Sequence, residues 1–338
     1  MHRFFRLGLA SLVLLGLGIS ACKRDPAPAS GDAGAAGKTL RIAVIPKGTT
    51  HEFWKSVHAG AVKASRELGV EIVWKGPLKE DDLKQQIDLV QSFTAQGVSG
   101  IVLAPLNDKA LVQSVKAATE SKIPVVIFDS DLSSEDHVSF VATDNRAAGK
   151  LGCEALAKDV KGKGNAIVLR YQEGSASTNH REEGCLEALR AAGVQIASDN
   201  QYGGATTESA HKASESLLLA QGAADGKVAG VFTPNESTTF GMLRAVEKAN
   251  LSGKLRFIGF DASEKLVKGV EAGSIDGLVL QDPFNMGYLA VKTMVRHLKG
   301  AKVERRIDTG SKLVTKANMN EPEMKRLLAP ELGEWLKE

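Results

Sequence analysis

From residue 39 onward the apolar and polar positions follow two alternating rhythms. Short apolar runs such as "GIVLAP" and "IPVVIF" read as strands buried on both faces. Between them apolar residues recur every three or four positions, as in Leu83, Ile87, Val90 and Phe93, which is the stripe of a helix lying on a core. The pattern predicts strands at 39–46, 70–75, 100–104, 124–129 and 139–143, with helices at 51–68, 80–96 and 108–121 between the first four. A second series follows, with helices at 146–160, 177–192, 206–221, 237–250, 263–272 and 284–299 and strands at 165–171, 194–199, 228–233, 255–260 and 275–280. Strands alternating with covering helices predict an α/β protein with parallel sheets, here in two similar halves.

Each predicted strand stops on polar residues: "IPKGTTHE", "LAPLND", "FDSD", "LRYQEGS", "FTPNES", "GFDAS" and "LQDPF". In an open parallel sheet these ends lie along one edge, where ligands bind. Some must cap helices, and Asp108, Ser177, Ser237 and Ser263 are the expected N-caps. Capping explains one polar residue per turn, not the second and third. At the first turn stands an aromatic pair, Phe53 and Trp54. Neighbouring helical residues point about 100° apart, so the two rings cannot share one buried stripe. Either one ring packs inward and the other offers its face to a ligand, or both are partly buried core.

Composition changes the picture only modestly. The 338 residues, 43% hydrophobic and 25% charged, suit a soluble globular chain of about two domains. Of 43 basic and 40 acidic residues, Arg3 and Arg6 fall in a leader, leaving 41 against 40, too even to argue for nucleic acid or an anionic membrane surface. That leader, residues 1–21, has a basic start "MHRFFR" and an apolar run "LGLASLVLLGLGIS" short of a membrane span, as an export signal does. It closes on Ile19-Ser20-Ala21-Cys22, which resembles the bacterial lipobox and implies lipidation of Cys22; an ordinary signal peptide is the alternative. Residues 22–38, rich in Ala, Gly and Pro, read as a flexible tether. Cys153 and Cys185 remain, both in predicted helices, as buried thiols or as a disulfide suited to an oxidising compartment.

Six segments, "IVLAPLNDKALVQSVKAATESKIPVVIFDSD", "SFVATDNRAAGKLG", "GSASTNHREEG", "VAGVFTPNESTTFGMLRAVEKAN", "FIGFDASEKLVKGVEAG" and "LVLQDPFNMGYLAV", together resemble the type I periplasmic sugar-binding proteins, the ribose- and galactose-binding group. The resemblance runs in order over nearly all of the chain after residue 39. It implies two Rossmann-like lobes with parallel sheets, residues 39–143 with 282–310 and residues 144–281 with 311–338, and a ligand cleft between them. It also implies a sugar held by polar side chains and stacked on aromatic rings, here Asp129, Arg181, Asn235, Asp261 and Gln281 with Phe53, Trp54 and, in looser alignment, Tyr202. Independently, a neutral polyol needs ionised acceptors and a forked donor, which Asp129, Asp261 and Arg181 provide.

Three departures from the family pattern stand out. Ser130 follows Asp129 where ribose-type proteins carry an arginine, and Lys47 and His51 stand where a small hydroxyl and an asparagine are usual. Lys47 either pairs with Asp131 or favours an anionic ligand. Other chemistry is poorly supported. "GDAGAAGKT" misses the phosphate-loop spacing and precedes a strand, "KGKG" also precedes a strand, and "EGSAS" lacks the last glycine of a nucleophile elbow. The histidines show no metal-ligand spacing. The expectation is thus a non-enzymatic receptor needing no cofactor or metal, a monomer that holds a sugar-like molecule and meets an ABC permease, tied to the membrane by a lipid. A receptor that docks on a membrane kinase or chemoreceptor would use the same cleft.

Overall fold

The computed structural model describes residues 39–336; the expected leader, Cys22 and the tether to residue 38 lie outside the described residues. The chain runs β1 (Arg41–Ile45), α1 (Glu52–Leu68), β2 (Glu71–Trp74), α2 (Leu83–Ala95), β3 (Gly100–Leu103), α3 (Val112–Glu120), β4 (Val125–Phe128) and β5 (Ser139–Ala142). It continues with α4 (Asn145–Val160), β6 (Asn165–Val168), α5 (Ala176–Ala191), β7 (Ile196–Ser198), α6 (Thr207–Ala220), β8 (Val228–Phe232), α7 (Glu236–Lys248), β9 (Arg256–Phe260), α8 (Glu264–Ala272) and β10 (Gly277–Leu280). Last come α9 (Pro283–Leu298), β11 (Arg306–Asp308), β12 (Lys312–Val314) and α10 (Pro322–Leu328). The predicted elements exist, most with ends one to a few residues shorter, while α4, α5, α7 and α9 begin one residue earlier than predicted. The two short strands β11 and β12 and the helix α10 were not expected, because three-residue strands carry no readable period.

The strands form two six-stranded sheets, ordered β11-β5-β4-β3-β1-β2 and β12-β10-β9-β8-β6-β7. All pairs are parallel except β12, which runs antiparallel to β10 at its sheet's edge. Alternate residues of one strand feed opposite cores: Ile42 and Val44 pack under α1 and α9, whereas Ala43 and Ile45 pack under α2 and α3. Two covered faces explain why the strands read as continuous apolar runs. Each sheet with its helices is one lobe. The chain leaves the first lobe after β5, returns between β10 and α9, and crosses again between β11 and β12. The last residues come back to the first lobe, where Arg66 donates to the carbonyls of Glu334 and Trp335.

Two glycines let helices of the second lobe approach closely enough to place the site. A Cβ on Gly149 of α4 would overlap the carbonyl oxygen of Arg181, and one on Gly184 of α5 would overlap that of Arg146. The same two helices are joined by a disulfide between Cys153 and Cys185. Of the two readings left open for these cysteines, the bridge is the one realised.

The expected caps need correction. α3 begins after Asp108, and Asn107 instead accepts from the N–H groups of Lys109 and Ala110. Asn235, not Ser237, caps α7 through a capping box with Thr238, and Ser177 lies inside α5. Ser263 does occupy the N-cap position of α8 but makes no capping bond.

Candidate ligand-binding cleft

Nine of the eleven sequence-predicted residues meet between the lobes, all but Arg181 because they follow a strand or open a helix at the facing sheet edges. Lys47 and the first turn of α1 come from the β1–α1 connection, Asp129 from the end of β4, and Arg181 from the second turn of α5. Asn235, Asp261 and Gln281 follow β8, β9 and β10. Ser130 lies just behind the cleft wall, fully buried, with its hydroxyl accepting from the Ser177 N–H at 3.1 Å. Tyr202 is not brought there. It is 41% exposed and lies over the Arg170 guanidinium, 5.0 Å from ring centroid to carbon.

The aromatic pair resolves differently from the inward-and-outward expectation. Both rings belong to the first lobe's core, edge to face at 4.9 Å, and both also line the cleft. Trp54 is held by a polar anchor as well, its indole N–H donating to Glu80 at 2.6 Å.

Glu80 is the main residue that sequence reasoning missed. It sits in the charged stretch "LKEDDLK", at the start of the helix predicted over 80–96 where charged residues are ordinarily solvated, yet its carboxylate is buried. It meets His51 at 2.8 Å and accepts from the hydroxyl of Tyr171, across the cleft, at 2.7 Å. Burial pushes its pKa up, but His51, Lys47 and the Trp54 N–H override this and hold it at about 2. Burial likewise pulls His51 down, and the Glu80 carboxylate reverses the effect, pushing the imidazole up to about 9. Glu236, also missed, is pushed up to about 7 by burial.

Lys47 pairs with Asp129, at 3.5 Å, and not with Asp131. Its ammonium also donates to the hydroxyls of Ser175 and Ser177 across the cleft, at 3.1 and 3.0 Å. The Asp131 carboxylate instead accepts from the Leu132 N–H beside it. Burial lowers the pKa of Lys47 and raises that of Asp129, each opposed by the other's charge.

Arg181, expected as a forked donor to the ligand, makes no direct bond to a carboxylate in the cleft. Its Nε and Nη1 donate instead to neutral acceptors, Asn145 Oδ1 at 2.8 Å and the Pro234 carbonyl at 2.9 Å. The guanidinium lies over the Phe260 ring, 4.0 Å from its centroid, with Asp261 and Asp129 supporting its charge from nearby. Asp261 accepts from Gln281 Nε2 at 2.7 Å and from the Glu236 N–H at 3.0 Å. Two polar atoms on these residues are left without a protein partner although they are buried: Arg181 Nη2, a donor, and Gln281 Oε1, an acceptor. Unpartnered buried groups are costly, and a site for a hydroxylated ligand is one reason to keep them.

The space these side chains leave is about 30 Å³, enough for roughly one water in size. A larger hollow of about 1030 Å³ lies beside it, between α1, α8 and the C-terminal segment, and shares Phe53, Asp261 and Gln281 with the cleft. Its other walls mix apolar side chains such as Val267, Leu327, Leu328 and Leu332 with the charged Glu52, Lys55, Glu264, Lys268 and Glu271, whereas the buried charges Lys47, Glu80, Asp129 and Arg181 line the cleft alone.

Comparison with known proteins agrees with this geometry. Residues 42–302 match the family model described as a periplasmic binding protein domain. The ribose import binding protein of Haemophilus influenzae is 28% identical over 307 residues, covering 91% of this chain and 98% of its own. A carbohydrate transporter solute binding protein from Agrobacterium radiobacter, solved with D-arabinose, superposes with a TM-score of 0.82 at 32% identity, over 87% of this chain and all of its own. An ABC transporter solute binding protein from Agrobacterium vitis, solved with D-fucose, does so with a TM-score of 0.80 at 35% identity, over 86% of this chain and all of its own. The fold, the cleft and these matches together place the chain in the periplasmic binding protein family, as a type I periplasmic sugar-binding protein.

Proposed function

We propose that this chain is the exported solute receptor of an ABC importer, which captures a neutral sugar between its lobes and presents it to the permease. The observation that carries this reading is the pair of buried, unpartnered atoms, Arg181 Nη2 and Gln281 Oε1, flanked by the carboxylates of Asp129 and Asp261. One donor beside several acceptors suits a molecule whose hydroxyls both give and take hydrogen bonds. Lys47 is engaged by Asp129 and two serines, and four carboxyl groups face three basic side chains in the cleft, which favours a neutral ligand over an anionic one.

A monosaccharide exceeds the present space, so the lobes part to admit it and close by rotation about the three crossings, near residues 143, 281 and 310. Those crossings are also the proposed lobe boundaries. Lipidation of Cys22, anchoring to the membrane, action as a monomer and the lack of catalysis belong to the same reading.

Thermal unfolding of the full chain against D-ribose, D-arabinose, D-fucose, D-galactose and D-galacturonate tests it. A ligand at a hundred times its dissociation constant adds about 2.7 kcal/mol and raises the melting temperature. A shift with one or more neutral sugars is expected. A shift with the acid alone would assign Lys47 to the ligand, and none at all would remove the sugar reading.

A further inference from the structure

Five helices are capped by their own N-cap side chains: α2 by Asp82, α4 by Asp144, α6 by Thr206, α7 by Asn235 and α9 by Asp282. In α1, α5 and α8 the N-cap residues are His51, Ser175 and Ser263, and none makes a side-chain capping bond. Each of these three helices receives an acceptor from the opposite lobe instead. Glu236 of the second lobe accepts from the first two N–H groups of α1, at Glu52 (3.3 Å) and Phe53 (3.1 Å). Ser130 of the first lobe accepts from Ser177 in the first turn of α5 at 3.1 Å. Glu52 of the first lobe accepts from Glu264, the first residue of α8, at 3.1 Å.

Helix N-terminal N–H groups have no partner inside their helix, and the helix dipole favours a carboxylate there. Glu52 and Glu236 are themselves the first residues of α1 and α7, so the first residue of α7 serves α1 and the first residue of α1 serves α8. Separating the lobes would break all three caps together.

We infer that these inter-lobe caps couple helix capping to cleft closure, so that Glu52, Ser130 and Glu236 are positioning residues that set the closed fraction and, through it, the apparent affinity. A binding-competent state that is only partly populated weakens apparent affinity in proportion. Glu52 and Ser130 do not line the cleft, and their effect is independent of which molecule fills it.

Amide hydrogen exchange of the full chain, without added sugar, separates coupling from ordinary capping. Glu52→Ala removes the acceptor from α8. Exchange at Ser177, which sits on a different helix and is capped by a different residue, is expected to speed up roughly threefold to tenfold along with Glu264, because both amides open when the lobes part. Adding Ser263→Asp gives α8 a cap of its own; it should restore protection in the first turn of α8 and leave Ser177 fast. Faster exchange confined to Glu264, or Ser177 returning to its original rate in the double variant, would overturn the coupling. Ser130→Ala runs the experiment in reverse, with Glu264 as the distant reporter, and decides the matter if Glu52→Ala fails to fold. None of these measurements uses a sugar, so their failure is distinct from failure of the solute-receptor reading.

Discussion

Asp129 and Asp261 are the same residue of the two lobes. Each follows a strand ending in Phe, each takes left-handed backbone (φ 60° and 68°), and each donates its N–H to the neighbouring strand, at Val141 and Val279. Left-handed backbone costs a non-glycine residue about 1–2 kcal/mol, less for Asp, and persists where its surroundings enforce it. The two carboxylates that face the cleft are thus aimed by strained turns, one from each lobe.

The strain has a sign that can be measured. Asp129→Gly and Asp261→Gly remove the carboxylate and relieve the backbone, whereas the alanine variants remove it and keep the strain. The glycine variants should be more stable than the alanine ones by about 0.5–1 kcal/mol in urea denaturation, the reverse of the usual order. Equal stability would show that these turns are relaxed.

Arg181→Ala should weaken binding of the sugar selected by thermal unfolding on the order of a hundredfold, since it removes a charged donor and leaves Asp129 and Asp261 without its support. Arg181→Lys keeps the charge but not the fork, and should recover only part of the loss in calorimetric titration. Unchanged affinity in the alanine variant would remove Arg181 from the site.

Gly149→Ala tests how α4 places that arginine. The added methyl meets the Arg181 carbonyl, so α4 and α5 must move apart by a fraction of an ångström or more. Affinity should fall about tenfold or more although residue 149 lies outside the cleft, and overpacking should cost about 1–3 kcal/mol of stability. A variant that keeps wild-type affinity would show that the helices absorb the methyl elsewhere.

The His51–Glu80 pair makes stability depend on pH. His51 is raised from 6.5 to about 9, so its contribution is complete below pH 6.5 and is lost as pH rises through 9. Glu80 is depressed to about 2, so its contribution is present above pH 4.5 and is lost as pH falls towards 2. Glu236, raised to about 7, adds loss between pH 4.5 and 7 in the same direction as His51. Urea denaturation should show stability falling by on the order of 2 kcal/mol from pH 6.5 to 9, and His51→Asn should flatten that window. An unchanged slope would mean the imidazole stays neutral.

Reducing the Cys153–Cys185 disulfide should cost about 3–4 kcal/mol, since it closes a loop of 32 residues in sequence separation. The melting temperature in reductant, with free thiols counted by mass, checks this. No shift would mean that the α4–α5 packing suffices without the bridge.

The sequence by itself determined the alternation of strand and helix, the two similar halves and the polar strand ends, because period and strand-end chemistry are local properties. It also brought Asp129, Asp261 and Gln281 forward, since each stands at such an end, while Arg181 came forward through the family resemblance of "NHREEG". What only the tertiary structure decided are the relations between residues far apart in sequence. Glu80 lies in a charged run that looks like a solvated helix start until Tyr171, 91 residues away, bonds it. Lys47 takes Asp129 and not Asp131, because the left-handed turn aims the first carboxylate inward while the second stays with its own loop. Tyr202 falls outside the cleft because β7 sits at the far edge of its sheet. The caps of α1, α5 and α8 come from another lobe, and no local pattern can specify a partner that arrives only when the two sheets face one another.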